Sequence, residues 1–129
     1  MEYIYYTWQE IGNMIEKLIS RIKELNLKYD GVYGIPKGGL PIAVAVANHL
    51  NLPMLLNPTE NTLVIDDISD TGKTLTNIKS KVIGCLFSSS WTTVIPDVFV
   101  EIKISKEDWI IYPWEEKIDK EQTTLEDFK

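Results

Sequence analysis

Residues 65–74 read Ile-Asp-Asp-Ile-Ser-Asp-Thr-Gly-Lys-Thr, and the fold turns on what this stretch holds. Its ending, Gly72-Lys73-Thr74, invites the phosphate-binding pattern G-x-x-x-x-G-K-[ST] of nucleoside triphosphatases. That pattern needs a glycine at position 67, where the backbone must turn with no side chain in the way, and the residue there is Asp67. A carboxylate at that point would face the anion it should admit. What remains is an apolar run, Leu63-Val64-Ile65, closed by two adjacent acids and a small polar turn. This is the end of a buried strand opening into a loop that suits a phosphorylated sugar.

The pattern on either side builds the same architecture. Apolar residues at Ile11, Ile15, Leu18, Ile22 and Leu25 share one face of a helix over 7–27, with Thr7 as N-cap. Residues 29–35 form a short strand that runs into the glycine loop Pro36-Lys37-Gly38-Gly39, and 40–50 form a helix. Strands are expected at 54–56, 63–66, 82–87, 98–104 and 109–112, with a short helix at 74–81. Strands alternating with helices imply an α/β fold with a mainly parallel sheet covered on both faces. Ligands then gather at the carboxyl ends of the strands, where both glycine-bearing loops fall.

Composition narrows the function. A chain of 129 residues is one domain, expected over 1–117 and followed by an acidic tail at 118–129. A net charge of −6 with a single arginine, Arg21, argues against nucleic acid. No apolar run reaches membrane-spanning length and the first residues lack a signal-peptide pattern, which points to the cytoplasm with no membrane partner. Cys85 lies inside the apolar run 82–87 and reads as a buried strand residue, while His49 ends a helix with no second metal ligand near it.

Geometry alone lets the loop 70–74 wrap a phosphate monoester at a helix N-terminus, through its N–H groups and the hydroxyls of Thr71 and Thr74. Asp66 and Asp67 are placed to hold vicinal hydroxyls or a Mg²⁺ ion, and Asp70 is a natural general base.

The stretch from Val64 to Leu75 resembles the phosphoribosyl-pyrophosphate motif of type I phosphoribosyltransferases, and its Asp70-Thr71-Gly72 ending resembles the 6-oxopurine branch. Three further segments agree in order: Tyr6-Thr7-Trp8, the run Gly34 to Leu40, and the run Trp109 to Glu115. Together, over roughly 5–117, they are similar to the compact xanthine-guanine type. The resemblance implies a parallel sheet flanked by helices with a small C-terminal hood, Mg²⁺ as cofactor and a homodimer. It also implies phosphoribosyl pyrophosphate and a purine base or nucleotide as ligands. By the same resemblance, Lys37, Gly38 and Gly39 meet pyrophosphate, with the peptide before Lys37 often cis. Asp66 and Asp67 meet the ribose hydroxyls and metal, Ser69, Asp70, Thr71, Gly72, Lys73 and Thr74 form the ribose-phosphate loop, and Asp70 faces the purine N7. Trp109 stacks on the base and Ile110 offers it main-chain contacts.

Two departures stand out. Only residues 57–62 separate the expected strand at 54–56 from Leu63, too few for the family's long flexible lid. Ser89 occupies the place of the family's base-reading lysine. The expectation is a purine phosphoribosyltransferase of purine salvage, and the alternative is a nucleotide-binding or regulatory module with weak or no turnover.

Overall fold

A computed structural model of the chain describes residues 2–116, so the expected tail at 118–129 lies outside the described residues. The elements in order are β1 (Glu2–Tyr5), α1 (Trp8–Glu24), β2 (Val32–Gly34), α2 (Gly39–Leu50), β3 (Leu63–Ser69), β4 (Val82–Ser89), β5 (Val98–Lys103) and β6 (Asp108–Ile111). A 3₁₀ turn, Pro113–Glu115, follows. The strands β2-β3-β4-β5 form one parallel sheet in that order, and β1 pairs with β6 in a separate parallel ribbon.

The first helix starts where the sequence places it. The Glu10 N–H donates to the Thr7 hydroxyl at 3.1 Å and the Thr7 N–H donates to the Glu10 carboxylate at 3.0 Å, a reciprocal cap that satisfies two otherwise orphaned donors. Its buried stripe, Ile11, Met14, Leu18, Ile19 and Ile22, packs on one face of the large sheet. The buried residues of α2, Ile42, Ala43, Val46 and Ala47, join the same cluster, with Leu63, Ile65, Val82 and Leu86 from the sheet. Both helices therefore cover one face.

The other face differs from expectation. Val64, Ile83 and Cys85, out of phase with the first set, are covered by Leu75, Ile78 and Val94. No helix forms over 74–81; the segment runs through turns. Thr74 and Thr76 are β-branched, the Thr76 hydroxyl donates back to the Gly72 carbonyl at 2.7 Å, and Asn77 sits in the left-handed region at φ 61°. Together these choices favour a turn over a helix. The expected strand at 54–56 shrinks to one bridge between Met54 and Val32, and the strand at 29–35 to Val32–Gly34. Strand β1 has no counterpart in the sequence reading.

The connection at 57–62 is pinned at the amino edge of the sheet. Asp30 accepts from the Thr62 hydroxyl at 2.8 Å and from the Thr59 hydroxyl, and its own N–H donates to the Asn61 carbonyl at 3.0 Å. These residues precede β2 and β3, at the opposite end of the strands from the loops at 35–39 and 70–74. The segment forms no lid over those loops. No helix of the described residues is long and apolar enough to cross a membrane.

Leu18 is fully buried and packs over Gly84 of β4. Leu18→Ala should cost about 2–5 kcal/mol, seen as a lower urea midpoint with an unchanged slope. A loss below about 1 kcal/mol would mean that this face can collapse around the gap.

Candidate functional site

The site is built on the carboxyl ends of β2 and β3. Their loops meet because α2 begins with almost no gap against β3: a methyl group added at Gly39 would stand 2.5 Å from the Ile65 carbonyl oxygen and 3.0 Å from the Asp66 Cα. Only glycine allows that approach. The Gly39 N–H is engaged by the Ile35 carbonyl at 2.8 Å, so this residue closes the loop instead of meeting an anion. The Pro36–Lys37 peptide is cis. Gly38 lines the cavity in front of β3, and Lys37 faces an adjoining groove beside Trp114 and Glu115.

That first cavity, about 260 Å³, is bounded by Ile35, Pro36 and Gly38 on one side and by the whole run Asp66 to Leu75 on the other. Asp66, Asp67, Ser69, Asp70, Thr71, Gly72, Lys73 and Thr74 are thus brought together as the sequence predicts. What holds them is different. With no helix after the loop, its shape comes from stitching to the segment 92–94, which the sequence reading missed. Thr93 donates to the Thr71 carbonyl from both its N–H at 3.1 Å and its hydroxyl at 2.9 Å. The Ser69 hydroxyl donates to the Val94 carbonyl at 2.6 Å. Gly72, at φ 88°, packs so closely that an added methyl would lie 2.5 Å from the Thr93 hydroxyl. The left-handed Gly72 lets the loop turn sharply, and the Lys73 N–H that follows donates to the Thr71 hydroxyl at 3.2 Å. The signal for this brace is the pair Thr92-Thr93, whose hydroxyls had no role assigned.

A second cavity, about 130 Å³, adjoins the first. It is lined by Asp67, Ile68 and Asp70, by Trp109, Ile110 and Tyr112, and by Lys103 and Glu115. Asp67, Ile68 and Asp70 line both cavities. Trp109 is 57% exposed on β6, which supports a stacking surface over core packing, and Ile110 lies beside it. The hood that carries them is fastened by aromatic contacts. Tyr112 and Trp114 stack at 4.9 Å, Trp8 lies 6.0 Å from Trp114, and Tyr6 and Tyr112 flank Phe87 of β4 at 5.4 and 6.2 Å.

Ser89 is not in this cavity. It is 4% exposed and its hydroxyl donates to the Asp70 carbonyl beneath the loop, so its side chain holds the loop and reads no base. The expected strand ended at residue 87, whereas β4 continues through Ser89 and turns its hydroxyl beneath the loop. Cys85 is buried, and that burial raises its thiol well above the ordinary value, consistent with an inert strand residue. His49 is exposed on α2, its ring bonded to the Ala45 carbonyl at 3.0 Å.

The electrostatics centre on the acidic pair. Asp66 is 6% exposed and its carboxylate accepts the Asp67 N–H at 2.8 Å, while Asp67 accepts the Ile68 N–H at 2.9 Å. Burial, then the hydrogen bond and charge of Asp67, push Asp66 up to about 9. Asp70 presents a different feature: its Oδ1 is buried with no hydrogen-bond partner among the described residues. A buried carboxylate oxygen left unsatisfied is costly and marks a place prepared for a ligand group. Among the described residues no group of three or more His, Cys, Asp or Glu could hold a metal. Two adjacent carboxylates do fit an ion such as Mg²⁺, which is commonly bound by one or two carboxylates with substrate oxygens and water completing its shell.

The fold and the order of its loops are similar to those of the type I phosphoribosyltransferases. Several of the proteins it resembles act on purines by name. The chain is 23% identical over 139 residues to a xanthine-guanine phosphoribosyltransferase of Nitratidesulfovibrio vulgaris, covering 87% of this chain and 84% of the relative. It superposes on the purine phosphoribosyltransferase of Pyrococcus horikoshii with a TM-score of 0.76 and 29% identity, covering 92% of this chain and 98% of the other. The xanthine-guanine-hypoxanthine phosphoribosyltransferase of Helicobacter pylori shares the fold at a TM-score of 0.74 and 17% identity, over 88% and 94% of the two chains. No protein-family model matches the chain.

The raised Asp66 sets a pH dependence with a definite sign. Between its ordinary value of 3.8 and about 9 the folded chain keeps a proton that the unfolded chain has lost, so this contribution is full below pH 4 and is lost as pH rises to about 9. Asp66→Asn removes that loss. In metal-free buffer the variant should gain in melting temperature over the parent from pH 5 to 7 to 9; a constant offset across the three would show that Asp66 ionises normally.

Proposed function

We propose that the chain transfers the 5-phosphoribosyl group from phosphoribosyl pyrophosphate to a purine base, releasing pyrophosphate, and serves purine salvage. The observation that carries this reading is the pair of joined cavities sharing Asp67 and Asp70, with the buried, unpartnered Oδ1 of Asp70 at the shared edge. One chamber suits a phosphate among loop N–H groups and hydroxyls, the other a flat heterocycle against Trp109. The common edge then receives the ribose carbon that joins them.

In the reaction the bond from ribose C1 to the pyrophosphate oxygen breaks, pyrophosphate leaves with the electron pair, and a ring nitrogen of the base forms the new bond to C1. The base must also lose a ring proton. Asp70 would accept it; in support, the residue lines both cavities and its Oδ1 has no other partner among the described residues. Asp67 and Asp66 would hold the ribose hydroxyls and the magnesium ion, which when bound supplies positive charge to the pyrophosphate leaving group. Positive charge developing at C1 is favoured by the surrounding carboxylates, a stabilisation that acts on the transition state more than on the substrate. Ring stacking on Trp109 fixes the plane of the base so that attack is in line. Backbone around Gly38 supports the pyrophosphate end.

The test is pyrophosphate release with phosphoribosyl pyrophosphate, Mg²⁺ and a panel of nucleobases. Asp70→Asn should lower transfer roughly 10²-fold or more while leaving phosphoribosyl-pyrophosphate affinity within about an order of magnitude. Gly72→Val should abolish ligand binding instead, because its side chain enters the space of Thr93 and Val94. Unchanged turnover in the first variant would remove Asp70 from the chemistry. In a separate measurement, tryptophan emission should change with a purine nucleotide and hardly at all with ribose 5-phosphate, and most of that change should vanish in Trp109→Phe. An undiminished signal in that variant would place the base elsewhere.

A further inference from the structure

We propose that Lys103, at the end of β5, is the group that selects a base with a carbonyl on the edge facing that strand over one with an amino group there. The assignment rests on the purine reading of the site and deepens it. Three carboxylate residues, Asp67, Asp70 and Glu115, line the base cavity, and Lys103 is the one cation among its described lining residues. In the pairing of β4 with β5, Lys103 stands directly opposite Ser89. The Ser89 hydroxyl is turned beneath the loop to the Asp70 carbonyl and offers the cavity nothing. Lys103 is half-buried, and its ammonium rests over the Trp91 ring, 5.5 Å from the centroid. The Lys106 ammonium lies over the same ring at 5.4 Å. What Lys103 gives up by leaving is one cation–π contact on a partly exposed ring that Lys106 also approaches. Lys103 has a long flexible stem with which to do so.

The chemistry then sets the sign of the selection. An ammonium has three donors and no acceptor, so the base edge it meets must present a lone pair. A ring carbonyl does so, and a charged donor strengthens the bond. An exocyclic amine presents hydrogen to hydrogen and is refused. On this assignment the edge on which 6-oxo and 6-amino purines differ is turned toward Lys103, with the ring plane against Trp109.

Titration calorimetry of the full chain with Mg²⁺ and either IMP or AMP, which differ in that group, tests the assignment. IMP should bind about tenfold or more tightly than AMP, and Lys103→Met should bring the two within about threefold, mainly by weakening IMP. Phosphoribosyl-pyrophosphate affinity should stay the same in that variant, and Lys106→Met should keep the parent ratio. A Lys103→Met chain with the parent IMP to AMP ratio overturns the proposal. So does a Lys106→Met chain whose ratio collapses equally, since the effect would then be one of general charge. If the unsubstituted chain binds phosphoribosyl pyrophosphate but neither nucleotide, the purine reading itself falls and takes this assignment with it, a failure visible before any substitution is made.

Discussion

The contact between Gly39 and the carboxyl end of β3 holds the site together. Because α2 starts directly against the Ile65 carbonyl and the Asp66 backbone, the loop at 35–38 and the acidic end of β3 face each other across a narrow cavity. Any side chain at position 39 would wedge the helix from the sheet and separate the two walls. The same approach buries Asp66 and raises it to about 9. Close packing here and unusual electrostatics there are two results of one missing Cβ.

The other constraint is how a short chain makes an anion-binding loop without a helix behind it. Residues 70–74 are held from below by Ser89 and from the side by Thr93, and Ser69 is tied to Val94. Hydroxyl-to-carbonyl bonds from two neighbouring segments do the work that helical hydrogen bonds do elsewhere. They also occupy backbone carbonyls of the loop, Thr71 and Asp70 among them, while the Lys73 N–H donates to the Thr71 hydroxyl at 3.2 Å. The remainder of that segment then serves as cover, with Leu75 and Ile78 closing the face of the sheet that no helix among the described residues reaches.

Much of this was legible in the sequence where the signal was local. The stripe Ile11 to Ile22 with Thr7 before it, the apolar runs of β3 and β4, and the acidic ending of β3 each fix their structure within a few residues. The phosphate-loop set fell together because its members are consecutive. Strand β1 was missed although Tyr3, Ile4 and Tyr5 are β-prone, because four residues are too short a run to show a period and their partner, Asp108–Ile111, lies far along the chain. The helix expected at 74–81 failed on Thr74, Thr76 and Asn77, where local hydrogen bonding and a left-handed residue outweighed the expected pattern. The sequence puts Ser89 beyond a strand that ends at 87 and facing the base, because three serines carry no apolar signal to extend the strand and sequence does not give the partner a hydroxyl finds. Lys103 escaped notice for the related reason that its importance lies in what stands across from it.

The hood has a consequence for the order in which the protein takes shape. The cavity proposed for phosphate is lined by residues from Ile35 to Leu75 and braced by Ser89, Thr93 and Val94, whereas the one proposed for the base needs Trp109 and Tyr112, on and just after a ribbon made by joining residues 2–5 to residues 108–111. During synthesis the anion loop can therefore fold while the rest is still emerging, but the wall that receives the base waits for the strand at 108–111 to return to the first residues. A chain stopped before that return would retain a place for phosphate and have nowhere to stack a ring.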